Sequence, residues 1–240
     1  MKRLTIYCLT CLIGVSLLFA QQGVTQCGTP TGQPKFPIET YQELPDPSSP
    51  SDKDWAAVTI PQISWGTIDT RYAKHRLPQL KKQQLTTLKG WRGERVNAQA
   101  VVWTGTEVKD LNFSFTDFKD KKGNSLSDEA FKAGFIRYVM TDELNKDGRG
   151  ACGHRQAVDY DSLLVADPID TNLKSMSVPA RTVQPIWVQC WIPQSATPGT
   201  YKGALLVKDG SRLLQQLNLE ILVSSRELPA TNPDDKPIRS

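Results

Sequence analysis

The sequence predicts a mainly β protein, an immunoglobulin-like antiparallel β-sandwich with long loops and one or two short helices. Three observations carry this. Apolar and polar residues alternate with period two in several short segments from Trp55 onward, the mark of half-buried strands. Sixteen Pro and sixteen Gly are spread along the 240 residues, more than a helical bundle tolerates. Strands follow one another without the helices that parallel crossovers need, so a doubly wound sheet or an eightfold α/β barrel is disfavoured.

Taken in order, Lys2 and Arg3 precede an apolar stretch from Leu4 to Phe19 that ends at Ala20 before Gln21-Gln22-Gly23. This is the layout of a secretory signal peptide spanning 1–20, and it predicts export to the periplasm or the medium. The stretch is short for a spanning helix and no second candidate follows it, so no membrane span is expected. Cys8 and Cys11 lie within the apolar run, and Cys27 follows Val24-Thr25-Gln26, a context that argues against lipid anchoring. Residues 21–54 are rich in Pro, Ser, Thr and Gln and form a leader or linker. The β-sandwich domain is expected over 55–225.

Within it, Arg76 to Lys89 has weak helical periodicity, with Pro78 placed to start a helix. From Arg95 to Trp103, Val96, Ala98, Ala100 and Val102 share one face of a strand, and Asn97, Gln99 and Trp103 the other. Leu111, Phe113 and Phe115 repeat the pattern. Leu126 to Lys132 is a second short helix candidate, capped by Ser127 before Asp128-Glu129. Phe135 to Met140 is apolar nearly throughout, as in a central strand. Thr141 to Pro179 is a long polar connection. Ile186, Val188, Cys190 and Ile192 alternate with Trp187, Gln189 and Trp191. Tyr201, Gly203, Leu205 and Val207 lead to Lys208-Asp209-Gly210-Ser211, where Asp-Gly suits a tight hairpin turn. The returning strand places Leu213, Leu217, Leu219, Ile221 and Val223 on one side.

Composition excludes several functions. Of 29 Lys and Arg, removal of Lys2 and Arg3 with the leader leaves 27 against 25 Asp and Glu, a near balance that argues against nucleic acid as a partner. With two histidines, His75 and His154, a paired-histidine zinc site cannot be completed without distant carboxylates or a thiol, and no metal or cofactor is expected. No Gly-x-Ser-x-Gly elbow presents a nucleophile. After leader removal Cys27, Cys152 and Cys190 remain. They allow one internal bridge at most, and a Cys152–Cys190 disulfide stands beside the reading of Cys190 as a small buried apolar side chain.

Four further features invite chemistry and fail on context. Asp142-Glu143 follows a strand as a glycosidase carboxylate pair could, but a catalytic barrel takes about 250 residues with regular alternation. Asp128-Glu129 reads as a helix start, where acidic residues meet the positive end of the dipole. Gly148-Arg149-Gly150-Ala151-Cys152-Gly153 matches a dinucleotide fingerprint by letters, without the strand and helix that make it work. Glu143, Asn145, Asp147 and Gly148 imitate a calcium loop whose twelfth position is His154 instead of glutamate. Arg92, Glu94 and Arg95 read as an ion-paired strand entrance. Trp187 and Trp191, on the face opposite the apolar set, need cover: loops of the same domain, a docked partner domain, or a stacked sugar ring.

Several segments also resemble a known family. These are Trp91-Arg92-Gly93-Glu94-Arg95-Val96-Asn97 continuing to Trp103, Phe135-Ile136-Arg137-Tyr138-Val139-Met140-Thr141-Asp142, and Leu164-Val165-Ala166-Asp167. Ala180-Arg181-Thr182-Val183-Gln184-Pro185-Ile186-Trp187 and Pro198-Gly199-Thr200-Tyr201-Lys202-Gly203 complete the set. Together they look like the N-terminal β-sandwich module of bacterial glycoside hydrolase family 123 over roughly residues 55–225. The resemblance implies enzymes similar to retaining β-N-acetylgalactosaminidases, in which the substrate acetamido group attacks the anomeric carbon and an adjacent Asp-Glu pair on a C-terminal barrel assists. The sequence ends at Ser240, soon after Leu228-Pro229, so those catalytic residues have no matching positions and 226–240 reads as a shortened linker toward an absent catalytic domain. The implied role is a non-catalytic accessory module, its partner a catalytic barrel in cis or on a neighbouring chain. The alternative is a free-standing carbohydrate-binding module that holds a glycan through Trp187 and Trp191.

Overall fold

The computed structural model describes residues 43–46, 49–141 and 163–229. Two sheets face each other. One has the strand order β1 (Gln62–Gly66), β3 (Arg95–Thr104), β10 (Thr182–Trp191), β7 (Phe131–Thr141), β8 (Leu163–Asp170). The other runs β2 (Leu85–Arg92), β12 (Arg212–Glu227), β11 (Gly199–Asp209), β4 (Val108–Phe115), β9 (Ser175–Val178), with β5 (Phe118–Lys119) and β6 (Ser125–Leu126) attached to β11. The pairings are antiparallel except β2 on β12, which is parallel. The only α-helix among the described residues is the single turn α1 (Asp52–Trp55).

The core lies between the sheets and follows from alternation. Ala98, Ala100 and Val102 of β3 and Ile186, Val188 and Cys190 of β10 meet Leu217, Leu219 and Ile221 of β12 and Leu205 and Val207 of β11. Burial of each large aliphatic side chain contributes roughly 1.5–3 kcal/mol. Tyr201 is buried, and its hydroxyl donates to the Thr197 carbonyl at 2.7 Å, the arrangement of a tyrosine corner.

Several local expectations are corrected. Arg76 to Lys89 is not a helix: Leu85–Arg92 is β2, its backbone paired along β12. This edge packs so closely that a Cβ on Gly90 would lie 2.7 Å from both Ile192 and Val96. Leu126 to Lys132 holds a 3-10 turn, Asp128–Ala130, whose Ser127 makes no side-chain cap bond. The long connection contains β8 and β9, since Leu163 to Ala166 is a short buried apolar run. In the β11–β12 hairpin only Gly210 has positive φ, at 60°, so the turn is centred on Gly210-Ser211 with glycine first, as in a type II′ turn. A bulge opposite Val207 and Lys208 absorbs Leu214, which packs against the core and leaves Leu213 half exposed.

The outer face of the β1–β3–β10 sheet is itself covered. Trp55, Tyr72, Val101, Trp103 and Val183 form a second apolar cluster there, with Val58, Leu77 and Leu80 packed on it. Gln99 is buried on this face and donates to the Thr67 and Thr70 carbonyls at 2.6 and 3.1 Å.

Candidate functional site

The outward residues of β10 are Trp187, Gln189 and Trp191. Register sets Trp191 opposite Arg95, Gln189 between Asn97 and Lys132, and Trp187 beside Gly134. The two indoles share a face but not an environment. Trp187 is half-buried against Ile136, Tyr138, Leu164 and Ala166. Trp191 is 48% exposed and walls a cleft of about 540 Å³ with Arg95, Glu129, Lys132 and Gln189. Indole, amide, guanidinium, ammonium and carboxylate groups thus meet in one depression. Gln189 is partly held by its bond to Asn97 Oδ1 at 3.3 Å.

A second concave surface lies on the opposite sheet, where β12 ends. Lys89, Trp91, Glu94, Leu222 and Leu228 are among the residues around a groove of about 750 Å³. Trp91 is outward on β2 because Gly90 faces the core. The β2–β3 turn is set by Gly93, with φ at 85°, and by Glu94 Oε2 accepting from Trp91 N at 2.7 Å. Arg92 pairs with Glu227 at 2.9 Å rather than with Glu94, and Leu228 N donates to Arg92 O at 2.9 Å. Arg226 lies 5.6 Å from the Trp91 ring centre, a cation–π contact. This groove escapes a reading of the sequence that assigns its β2 wall to a helix. The outward phase of Leu85, Thr87, Lys89 and Trp91 is the signal that could have found it.

Charges converge around Arg137 of β7. Glu43 accepts from Lys74 Nζ at 2.7 Å and Arg137 Nε at 2.9 Å, and Arg137 reaches Asp170 at 3.4 Å. Burial pushes the Glu43 carboxyl up, but the bonds from Lys74 and Arg137 outweigh it and hold the group below its ordinary value. Nearby, Tyr138 donates to the Val183 carbonyl. Full burial, and then the charges of Glu43 and Asp46, push its phenol well above the ordinary value, so it stays neutral. His75 Nδ1 donates to the Arg181 carbonyl at 2.9 Å, while Nε2 lies 3.5 Å from Asp46. Glu43 and Asp46, within the stretch expected as leader, are therefore packed on the sandwich. Glu43, Lys74, Arg137 and Asp170 pair with one another, and Glu43 joins the preceding chain to β7.

Of the features that invited chemistry, Asp142-Glu143, the glycine string 148–153, the calcium-like loop and His154 lie outside the described residues. Cys152 does too. Its candidate partner Cys190 sits in the core, where burial raises its thiol pKa to about 12. Asp128 and Glu129 are exposed on the 3-10 turn. Among the described residues no three His, Cys, Asp or Glu side chains gather as a metal site, and no helix is long and apolar enough to cross a membrane.

Comparison with known proteins agrees with this geometry. The family model described as "Glycoside hydrolase 123 N-terminal domain" matches residues 65–209. Among solved structures, a family 123 glycoside hydrolase from Clostridium perfringens, studied for glycolipid glycan hydrolysis, is similar with a TM-score of 0.54 and 20% identity. The alignment covers 69% of this chain and 27% of that one, so the chain spans about a quarter of the enzyme's length and the likeness shows the fold. PapD-like domain 7 of human CEP192 (TM-score 0.33, 12% identity, 79% of this chain and 97% of that one) is a remote likeness on which nothing rests. No curated protein matches the chain. With the model matched from β1 through β11, the chain belongs to the glycoside hydrolase 123 N-terminal domain family.

Proposed function

We propose that this chain is the non-catalytic accessory module of an exported family 123 glycoside hydrolase, positioning or stabilising a catalytic domain that follows it in cis or is supplied by a neighbouring chain. The observation that carries the reading is the family match, which is to the N-terminal domain and falls on the sandwich from β1 to β11. The core supports it: its packed side chains are aliphatic and aromatic, and Glu43, Lys74, Arg137 and Asp170 pair with one another. The test is incubation of the purified chain with p-nitrophenyl β-N-acetylgalactosaminide. No nitrophenol release above the uncatalysed rate is expected, and turnover would refute the reading. Export is tested in the same preparation, since the mature chain recovered from the periplasm or medium should begin at Gln21.

The cleft at Trp191 favours a second reading, a module that itself binds carbohydrate. An exposed indole flanked by Gln189, Arg95, Lys132 and Glu129 offers an apolar ring face and several hydrogen-bonding groups to a sugar. Calorimetry with galactosaminide oligosaccharides distinguishes the two. A scaffold releases no binding heat, whereas a binding module releases heat that Trp191→Ala abolishes and Trp187→Ala weakens.

A further inference from the structure

We infer that the Trp91 groove is the face on which the domain C-terminal to this module packs. The inference rests on the accessory-module reading and adds to it the surface that makes the contact. Trp91, Leu222 and Leu228 are 40%, 37% and 38% exposed, three large apolar side chains around one depression. Contiguous exposed apolar surface of this kind marks an interaction site. The chain leaves the sandwich there, because Leu228 lines the groove and is bonded through its amide to Arg92 of the opposite wall. A domain entered through Pro229 is thus tethered beside Trp91 and Leu222. The alignment with the Clostridium perfringens enzyme covers 27% of that chain, so a family 123 enzyme has ample chain to fill the groove.

Size decides between occupants. Eight residues line the groove, against the roughly 20–30 a side of a stable free complex. A second copy or an untethered protein would be held too weakly. A covalently attached domain is present at an effective concentration of order millimolar, and a small apolar contact then suffices to orient it. The polar fringe suits a domain interface as well, since Lys89, Glu94 and Arg226 keep the rim hydrated while the indole and two leucines form its centre.

The Trp191 cleft supplies an internal control, since Trp191 is exposed to a similar degree on the other sheet. Hydroxyl-radical labelling is measured on the 240-residue chain alone. It is repeated on that chain continued through Pro229 into the catalytic domain of the Clostridium perfringens enzyme, in place of that enzyme's own N-terminal module. Trp91 labelling should fall at least fivefold in the fusion while Trp191 stays unchanged, and Leu222→Ser in the fusion should restore Trp91 labelling. Protection of Trp191 instead of Trp91 would overturn the assignment of the face and leave the accessory reading intact. Protection of neither, in a fusion that melts no higher than the catalytic domain alone, would overturn both. The isolated chain should be monomeric by light scattering at micromolar concentration; a dimer that shields Trp91 would assign the groove to a second copy and refute the inference.

Discussion

Gly105 offers a direct test of how the outer face of the β1–β3–β10 sheet is closed. It lies in the turn between β3 and β4, and a Cβ added there would stand 1.7 Å from the carbonyl oxygen of Val58 and 2.9 Å from its carbon. Both atoms are backbone, so no rotamer change relieves the clash. The 56–60 segment must retreat by more than about 1 Å to reach a tolerable contact. Val58 packs on the cluster of Trp55, Tyr72, Val101, Trp103 and Val183, so the retreat opens a seam beside the buried Trp55, whose indole donates to His75 O at 3.0 Å. Overpacking costs about 1–3 kcal/mol and the loosened cluster adds to it. The expected loss for Gly105→Ala is about 3 kcal/mol, or roughly 6–12 °C in Tm for a domain of this size. Urea unfolding followed by tryptophan fluorescence measures it, with Gly199→Ala as the control. At Gly199 the nearest atom is the Asp120 carboxylate at 3.5 Å, an ordinary contact, and a change within about 1 kcal/mol is expected. A Gly105→Ala midpoint equal to that of the wild type would refute the docking of 49–61 on this sheet.

Gly203→Ala would place a methyl 2.7–2.8 Å from the Phe118 ring, which is stacked on Phe131 at 4.0 Å and cannot retreat. A loss of about 1–3 kcal/mol is expected in chemical denaturation, and combination with Phe118→Leu should cost less than the sum of the singles. Glu43 has a depressed pKa, so its contribution to stability is present above the unfolded-state value near about 4.3 and is lost as pH falls through the lower folded value. Melting of wild type and Glu43→Gln from pH 7 to pH 3 should show a gap that is widest at neutral pH and closes in acid. A gap that widens in acid would contradict the sign. With its thiol raised to about 12 and fully buried, Cys190 in the reduced, folded protein should resist iodoacetamide at pH 8 and react on unfolding. Prompt labelling in the folded state, located by peptide mapping, would contradict the burial.

Where alternation meets an uninterrupted antiparallel partner, the fold is legible in the residues. Val96 to Val102 predicts a strand from Arg95 to Trp103 and the structure has one from Arg95 to Thr104. Ile186 to Ile192 and Leu217 to Val223 are equally direct. What is hidden depends on long-range pairing. β2 exists because β12 lies beside it, and its short outward phase of Leu85, Thr87, Lys89 and Trp91 competes with a weak helical periodicity over the same residues. The bulge at Leu214 shifts the phase of one strand end by a residue, which period-two counting cannot foresee. Glu43 and Asp46 sit in a Pro-rich stretch whose composition says linker, yet two carboxylates facing Lys74, His75 and Arg137 give it a place on the sandwich. Of the candidate surfaces, alternation alone gives the outward phase of Trp187 and Trp191. It does not distinguish the covered ring from the bare one, because that depends on β7 and β8 beside them.

The parallel ladder between β2 and β12 has a mechanical consequence. From Asn218 beside Leu85 to Val223 beside Gly90 the two strands run side by side in one direction, with Glu227 returning to Arg92 beyond the irregularity. Tension applied at Leu228 pulls along β12 and loads these cross-strand bonds sideways and together, instead of peeling them one at a time from an end. A module gripped this way resists elongation at its exit, so a pull along β12 is borne by the whole ladder before the sandwich unravels.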